Sequence, residues 1–205
     1  MAAGDISKAL NAKVRVYLEE SSNGFWTDDT EIYPALTDGQ REIINYVLTV
    51  YKMKSGLNGI EQLPQILRDI QTNTTGTGTA SLPADFLYPA AVTMSGGIVR
   101  IRHTISNPSF AKAYNTYLAA TASQPVCYFS SSQIVFESGS GSIAWTLQYF
   151  KVPSDITSSV DPTLGALAYN AIVEYATAFL LRKDENPRSE THYQNFFQLL
   201  QNLTV

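Results

Sequence analysis

Histidine and cysteine, which often act in catalysis or metal binding, are scarce in this sequence of 205 residues. His103 and His192 are far apart, and neither belongs to an HxxxH or HExxH spacing, which would place two metal ligands on one helix face. Cys127 is the single cysteine, so it allows neither an intrachain disulfide nor a multi-cysteine metal site. No GxSxG motif is present, and Ser140 lies in a turn-like run of serine and glycine. We therefore expect no catalytic residue, no metal site and no cofactor.

The acidic cluster Asp28, Asp29 and Glu31 is the strongest candidate for a cation site. These residues follow Thr27, a residue type that caps helices, and the helix dipole favours carboxylates in a first turn. We therefore interpret the cluster as helix-capping rather than metal-binding. The glycine-rich run at Gly76 resembles half of a phosphate-binding loop but lacks the preceding strand and the GK[ST] ending, so we expect a flexible loop.

Nucleic-acid binding has weak support in this sequence. The formal net charge is −4, whereas binding to phosphates needs a basic surface. Arg100 and Arg102 have the spacing of one strand face and, with Tyr114 and Tyr117, could form a stacking platform for bases. An ion pair between subunits explains the two arginines at least as well.

A small ligand-binding β-module with helical flanks is the alternative function that we retain. Trp145, Tyr128 and Tyr149 could form a stacking patch for a carbohydrate or another ligand, although aromatic residues in strands more often pack in a core. A hydrolase would need an acid–base pair that the fold brings together, and the sequence leaves this open.

The composition is that of a globular protein, with 44% hydrophobic and 16% charged residues, and the length allows one domain or two small modules. The first ten residues lack the basic and apolar regions of a secretory signal. The apolar run at 164–181 contains Asn170 and Glu174, which favours a packed helix over a bilayer span. We therefore expect no secretory signal, no membrane segment and a reducing compartment for Cys127.

Residues 1–71 have the periodicity of helices. The longest helix begins at Thr27 and ends near Gly56, with Lys52 and Lys54 in its last turn. Pro34 removes one hydrogen bond and predicts a kink or a break near the second turn. The apolar stripe of this helix consists of Ile32, Leu36, Ile43, Ile44, Val47, Leu48 and Tyr51. Flanking helices are marked by Ile6, Leu10, Val14 and Tyr17 or Leu18, and by Ile60, Leu63, Ile66, Leu67 and Ile70.

Residues 72–153 have the composition of an inserted β-module. Residues 72–81 include no side chain able to anchor a core, so we expect a loop or a loosely held hairpin. Strands are predicted at 97–105, 126–129, 133–137 and 142–152. A short helix is predicted to start at Asn107 and Pro108, and Ser138–Ser142 to form a hairpin tip. Few residues are charged, which indicates either sheet edges covered by other subunits or an ordinary neutral surface.

Residues 154–205 return to helical periodicity. Asp161 with Pro162, and Asn186 with Pro187, each combine a cap residue with a first-turn proline and predict helix starts. The first helix has an apolar face of Leu167, Ala171, Ile172, Tyr175, Phe179 and Leu180, and the second has one of Tyr193, Phe196, Phe197, Leu200 and Leu203. The predicted fold is α+β, in which the N- and C-terminal parts form one helical bundle and the antiparallel β-module is inserted between them.

The order of several short motifs resembles one protein family along most of the chain. The stretch "FWTDDTEIYPALTDGQREI" is similar to the "W-[ST]-D-x-E-[LI]…L-N-x-[AG]-Q-R-E-[IL]" helix of head-to-tail adaptor proteins of tailed bacteriophages, also called connector or head-completion proteins and related to tail tubular proteins. The matching residues are Trp26, Thr27, Asp28, Glu31, Ile32, Gln40, Arg41 and Glu42.

Later motifs extend this resemblance. Leu82–Phe86, "LPADF", resembles the family's entry to its β-module, "SQPVCYF…QIVFES…LQYFKVP" resembles its hairpin run, and 168–197 follows its closing helical pair. The sequence departs from the pattern at Asp38, where asparagine is frequent, at Pro34, and at Ser138–Ser142, which replaces a second proline. These departures affect the geometry of the tip and the assignment to a subfamily.

The resemblance implies a virion structural protein rather than an enzyme. Such a protein forms a homo-oligomeric ring, commonly of twelve copies, at the neck of the virion and is assembled in the host bacterial cytoplasm. One face binds the portal protein, the opposite face receives the tail or the next neck-ring protein, and duplex DNA passes through the channel without specific binding. Within such a ring, the long helix is expected to be a rigid part of the subunit wall. It would present Gln40, Arg41 and Glu42 on its outer or intersubunit face.

Two contact regions are predicted for this ring. The apolar face of the last helix, Tyr193, Phe196, Phe197, Leu200 and Leu203, is a candidate portal-docking element, with packing inside the subunit as the alternative. The uncharged tip, Ser138, Gly139, Ser140, Gly141 and Ser142, is the candidate contact with the tail.

Overall fold

The computed structural model describes residues 3–20, 25–55, 63–94, 97–102, 126–136 and 144–203. Contacts between Cα atoms divide the chain into two compact units. The helical unit consists of Met1–Ile70 and Pro153–Val205, and the β-unit consists of Gln71–Val152. None of the helices in the described part of the chain combines the length and the hydropathy needed to cross a bilayer.

The helical unit has five α-helices within the described residues. They are α1 (Asp5–Tyr17), α2 (Tyr33–Ser55), α3 (Gln65–Asp69), α4 (Ala166–Lys183) and α5 (Arg188–Asn202). The predicted stripe of α2 is buried at Leu36, Ile43, Ile44, Val47 and Leu48. α4 packs against α1, α2 and α5, so it has buried residues around most of its circumference. Apolar helices from both ends of the chain therefore form one core.

The start of the long helix lies where the sequence predicts it, but its first turn is π-helical. Asp28–Ile32 form this π-helical turn immediately before α2. The hydroxyl of Thr27 makes no capping bond; instead the Glu31 carboxylate accepts the backbone N–H of Thr27 at 3.0 Å. The kink or break predicted from Pro34 is therefore present as this π-helical turn, which lies just before the proline. Because Pro34 has no N–H, one carbonyl of the preceding turn lacks its usual donor.

The predicted start at Asp161 and Pro162 is wrong, because α4 begins at Ala166. The Asp161 carboxylate instead accepts the backbone N–H of Ser7 at 2.9 Å, in the first turn of α1. A helix N-terminus offers unpaired N–H groups to any acceptor in reach, and here the acceptor comes from the other end of the chain. The second predicted start is confirmed: the Asn186 side chain accepts the N–H of Arg188, the first residue of α5.

The β-unit contains a sheet of seven strands in the order β1-β7-β3-β4-β5-β6-β2. The strands are β1 (Gln71–Thr77), β2 (Ala80–Ser81), β3 (Phe86–Met94), β4 (Gly97–Arg102), β5 (Val126–Phe129), β6 (Gln133–Phe136) and β7 (Ala144–Lys151). Neighbouring strands are antiparallel except β4 and β5, which are parallel. With the helices, this sheet makes the fold α+β, as the sequence predicts.

The loop or loosely held hairpin predicted over residues 72–81 is wrong. Seven consecutive residues of β1 pair with β7, from Gln71 opposite Phe150 to Thr77 opposite Ala144. The indole of Trp145 lies so close to Gly76 that a Cβ atom there would be 2.4 Å from Cζ2. Gly76 therefore leaves the space that the Trp145 ring occupies, and its role in the strand is steric rather than to add flexibility.

The sheet curves so that its two outer strands meet at one end. Only Gly78 and Thr79 separate β1 from β2, and such a link spans at most about 10 Å. Gly78 has a φ of 55°, which a glycine adopts without strain, and its carbonyl accepts the Trp145 indole N–H at 2.7 Å. The enclosed core consists of Val92, Val99, Cys127, Ile134, Trp145, Leu147 and Tyr149. The helix predicted at Asn107 and the tip at Ser138–Ser142 lie outside the described residues.

Candidate interaction surface

Aromatic side chains of α4 and α5 form one connected cluster on the helical unit. The rings of Tyr175 and Phe179 stack with their centroids 6.4 Å apart, and Tyr175 meets Tyr193 edge-on at 6.2 Å. Phe196 lies 5.2 Å from Tyr175 and 5.5 Å from Phe197. The pairs 175/179 and 193/197 are each four residues apart, which places them on adjacent turns of one helix face. We call Tyr175, Phe179, Tyr193 and Phe197 the aromatic surface.

Two members of the aromatic surface are exposed to solvent. Phe197 is 57% exposed and Phe179 is 37% exposed. The six apolar residues predicted for this helix all lie in α4, but Phe179 is not buried, and neither is Leu167, which is 67% exposed. α4 is apolar on most sides, a pattern that by itself indicates burial, so the exposure of Phe179 could not be read from the sequence.

The predicted docking stripe of α5 divides between core and surface. Phe196 and Leu200 are buried within the helical unit, whereas Tyr193 and Leu203 are half-buried. Of the five residues, only Phe197 has more than half of its surface exposed to a partner. Most of the stripe therefore holds α5 on the rest of the unit, and a docking role falls mainly on Phe197.

The aromatic surface has an acidic neighbour on α2. The ring of Tyr175 packs against Gly39, and Glu42 lies one turn further along α2 on the same side. Burial, followed by the charge of Glu42, raises the pKa of Tyr175 to about 12, with smaller contributions from Tyr193 and Asp38. Glu42 is exposed and makes no hydrogen bond or ion pair with another residue that the structure describes.

Gln40 is fully buried, so the expectation that it lies on an outer face of the long helix is wrong. Its amide N–H donates to the carbonyl oxygen of Ser154 at 3.1 Å. Its amide oxygen accepts the N–H of Thr163 at 2.7 Å and that of Leu164 at 3.2 Å. This one side chain therefore fixes both ends of the irregular segment that leads into α4.

The neighbouring residue Arg41 is exposed, as predicted, and holds the same segment from outside. Its guanidinium pairs with Asp155 at 2.7 Å and more loosely with Asp38 at 3.7 Å. The Thr37 hydroxyl accepts the N–H of Ile156 at 2.9 Å. Successive turns of α2 thus hold the segment that precedes α4. Gln40 and Arg41, two residues of the family-like motif, therefore have a structural role inside the subunit.

The acidic first turn is held by a network around Arg15 of α1. Its guanidinium binds Asp28, Glu20 at 3.1 Å and the carbonyl oxygen of Trp26 at 3.1 Å. Partial burial would raise the pKa of Asp28, but hydrogen bonds from Asn11 and Arg15, with the Arg15 charge, outweigh it and lower this pKa. The Arg15 guanidinium therefore supplies the positive charge for this part of the acidic cluster.

The adjacent carboxylate, Glu31, has partners of its own. The N–H of Thr27 lowers the pKa of Glu31 most, and Lys183 at 3.0 Å lowers it further. Among the described residues, no group of three or more His, Cys, Asp and Glu side chains could hold a metal. Asp28 and Glu31 therefore have protein partners, whereas Asp29 is exposed to solvent.

Three of the residues considered for catalysis or ligand stacking, His192, Trp145 and Tyr149, have structural partners, whereas Tyr128 is only half-buried. His192 of α5 contacts the Glu174 carboxylate of α4 at 2.7 Å through Nδ1. Trp145 and Tyr149 are buried in the β-unit core, which removes them from a ligand-stacking patch, and Cys127 is buried as well. His103, Tyr114 and Tyr117 lie outside the described residues, as does the serine-glycine tip.

Comparison with known proteins identifies a family. A family model described as SU10 adaptor protein matches residues 5–204, which is nearly the whole chain and includes both units. No curated protein matches the chain. The match confirms the resemblance to phage adaptors that the order of short motifs indicates.

Proposed function

The chain belongs to the SU10 adaptor protein family, and we propose that it forms the neck ring that docks under the portal and joins the phage capsid to the tail. The observation that carries this proposal is the family match over residues 5–204. In the proposed assembly, about twelve copies form the ring, which is built in the host bacterial cytoplasm and remains in the virion. The ring has a mechanical function and needs no catalytic residue.

We propose that the portal docks on the aromatic surface. Exposed aromatic side chains on packed helices are frequent anchors of protein–protein contacts, because they bury large areas at little cost in side-chain entropy. Phe197 and Phe179 have this character, and ring contacts connect both of them to the buried Phe196. The support is the exposure of these residues on helices that are otherwise well packed.

The tail-side contact is proposed for the tip at Ser138–Ser142. Its support comes from sequence: the run "SGSGS" is uncharged and small, and it connects two segments of strand-like pattern. The proposed order is therefore portal on the aromatic surface of the helical unit and tail on the β-unit.

DNA passage requires a channel that does not retain the genome. With a net charge of −4 per chain, a ring of about twelve copies repels a polyanion. We therefore expect weak binding of duplex DNA at physiological salt, measured by fluorescence anisotropy with a labelled duplex. Tight binding that weakens steeply with salt would contradict passive passage.

Mass photometry of the purified protein, with and without purified portal, tests the adaptor function directly. The expected result is a ring, or a portal-bound multimer, with a mass that is a whole-number multiple of 22.5 kDa beyond the portal mass. A bovine serum albumin sample mixed with the same portal controls for non-specific adsorption. A chain that stays monomeric and never binds portal would overturn the proposal.

A further inference from the structure

We propose that the segment docking on the aromatic surface is an apolar segment of the portal that carries a lysine or arginine for Glu42. This inference rests on the proposed portal docking and adds the chemistry of the partner. It commits to a basic, amphipathic segment rather than to a neutral or acidic one.

Glu42 has no partner among the described residues, whereas neighbouring carboxylates are paired. Glu174 on α4 contacts His192 at 2.7 Å, and Asp38 on α2 pairs with Arg41 at 3.7 Å. Glu42 thus contributes an uncompensated negative charge beside Tyr175. At the opposite end, beyond Phe179, the exposed Arg182 of α4 and Glu190 of α5 have opposite charges.

Docking would place this charge in a less polar environment. An apolar segment that covers Phe197 and Tyr193 also removes water from the side of α2 that faces Tyr175, where Glu42 lies. A carboxylate that loses water without gaining a partner destabilises a complex, so a neutral segment binds poorly there. A cationic side chain offsets this cost and can also contact the faces of exposed aromatic rings. The combination of exposed rings and one unpaired carboxylate therefore selects an apolar segment with a basic residue.

The test measures the affinity of the assembled ring for purified portal at low and high salt, for the native chain and three variants. Glu42→Lys reverses the proposed contact, and Phe197→Ser removes the apolar anchor. Asp184→Lys is the matched control, because it makes the same change in charge at the exposed end of α4, more than two turns from Tyr175. Mass photometry and thermal melts of each variant show whether the ring and the fold are intact.

The expected result is a loss of about tenfold or more in affinity for Glu42→Lys at low salt, with a smaller loss at high salt. Phe197→Ser should lose affinity at both salt concentrations, and Asp184→Lys should bind like the native ring. If Phe197→Ser weakens binding while Glu42→Lys does not, portal docking on this surface stands and the basic partner is overturned. If both variants stay folded but no longer form rings in mass photometry, a second copy of the chain occupies the surface, which also overturns the inference. Failure of the native chain to bind portal would overturn the proposed function itself.

Discussion

The side-chain amide of Gln40 in α2 donates to the carbonyl oxygen of Ser154, 114 positions later in the chain. The same side chain accepts backbone N–H groups from Thr163 and Leu164 at the far end of the segment. One buried amide therefore joins the N-terminal half of the helical unit to the approach to α4. This arrangement explains a family-like motif residue by folding rather than by contact with a partner.

Replacing Gln40 with alanine should destabilise the helical unit by roughly 2–4 kcal/mol, because it leaves the buried N–H of Leu164 and the partly buried N–H of Thr163 unpaired. Urea unfolding followed by circular dichroism measures the change. Arg41→Ala is the matched control on the next, exposed position, where an ion pair at the surface contributes at most about 1 kcal/mol. Equal losses for the two variants would contradict the role given to Gln40.

Asp28 should stabilise the folded protein at neutral pH, and this contribution to stability should be lost in acid. Its pKa in the folded state is below the ordinary value of 3.8, so its contribution is present above that value and is lost as the pH falls through the lower, folded pKa. Asp28→Asn should therefore lower the free energy of unfolding at pH 7, and the difference from the native chain should shrink towards pH 3. Urea melts at both pH values measure this. A difference that stays constant would assign the effect to packing rather than to charge.

Replacement by serine should lower the stability of the protein at Leu200 but not at Phe197. Leu200 is 2% exposed, so Leu200→Ser creates a cavity and buries a hydroxyl, with an expected loss of about 3 kcal/mol or more. Phe197→Ser changes a side chain that is 57% exposed and should leave the melting temperature nearly unchanged. A large fall in melting temperature for Phe197→Ser would show that the whole stripe belongs to the subunit core.

Gly76→Ala should destabilise the β-unit by about 1–3 kcal/mol, because the added methyl group would collide with the Trp145 indole. The shifted ring should also lose its hydrogen bond to the Gly78 carbonyl and change the tryptophan emission. Thr75→Ala on the adjacent, exposed position of β1 is the control and should change neither property. Native-like emission and stability in Gly76→Ala would show that Trp145 does not need the space left by the missing side chain at position 76.

Shortening Ser138–Ser142 to a two-residue turn should block tail joining and leave portal binding intact. The reason is that the tip is the proposed contact with the tail, whereas the portal is proposed to dock on the helical unit. Electron microscopy of neck complexes assembled with purified portal and tail measures both steps. Replacing the five residues by another serine-glycine order of equal length is the control. Normal tail attachment with the shortened tip would place the contact elsewhere.

The sequence by itself determined the features that depend on residues close together in the chain. The long helical segment starts just after Thr27, where the nearby Glu31 carboxylate accepts the Thr27 N–H, and α5 begins just after Asn186 and Pro187, because helix starts depend on groups within a few positions. The β5–β6 hairpin is confirmed for the same reason, since two strand-like runs flank a short polar turn. The order of short motifs was also sufficient to indicate the family.

Only the tertiary structure decided the features that depend on distant partners. β1 is a strand because β7 offers it a full ladder more than 60 residues later, although its own sequence has the composition of a loop. Asp161 caps α1 rather than its own helix, and Gln40 is buried because three backbone groups of a remote segment satisfy its amide. α4 exposes Phe179 because α1, α2 and α5 together leave that part of its surface uncovered. A local pattern specifies which groups need partners, but the packed fold decides which groups meet that need.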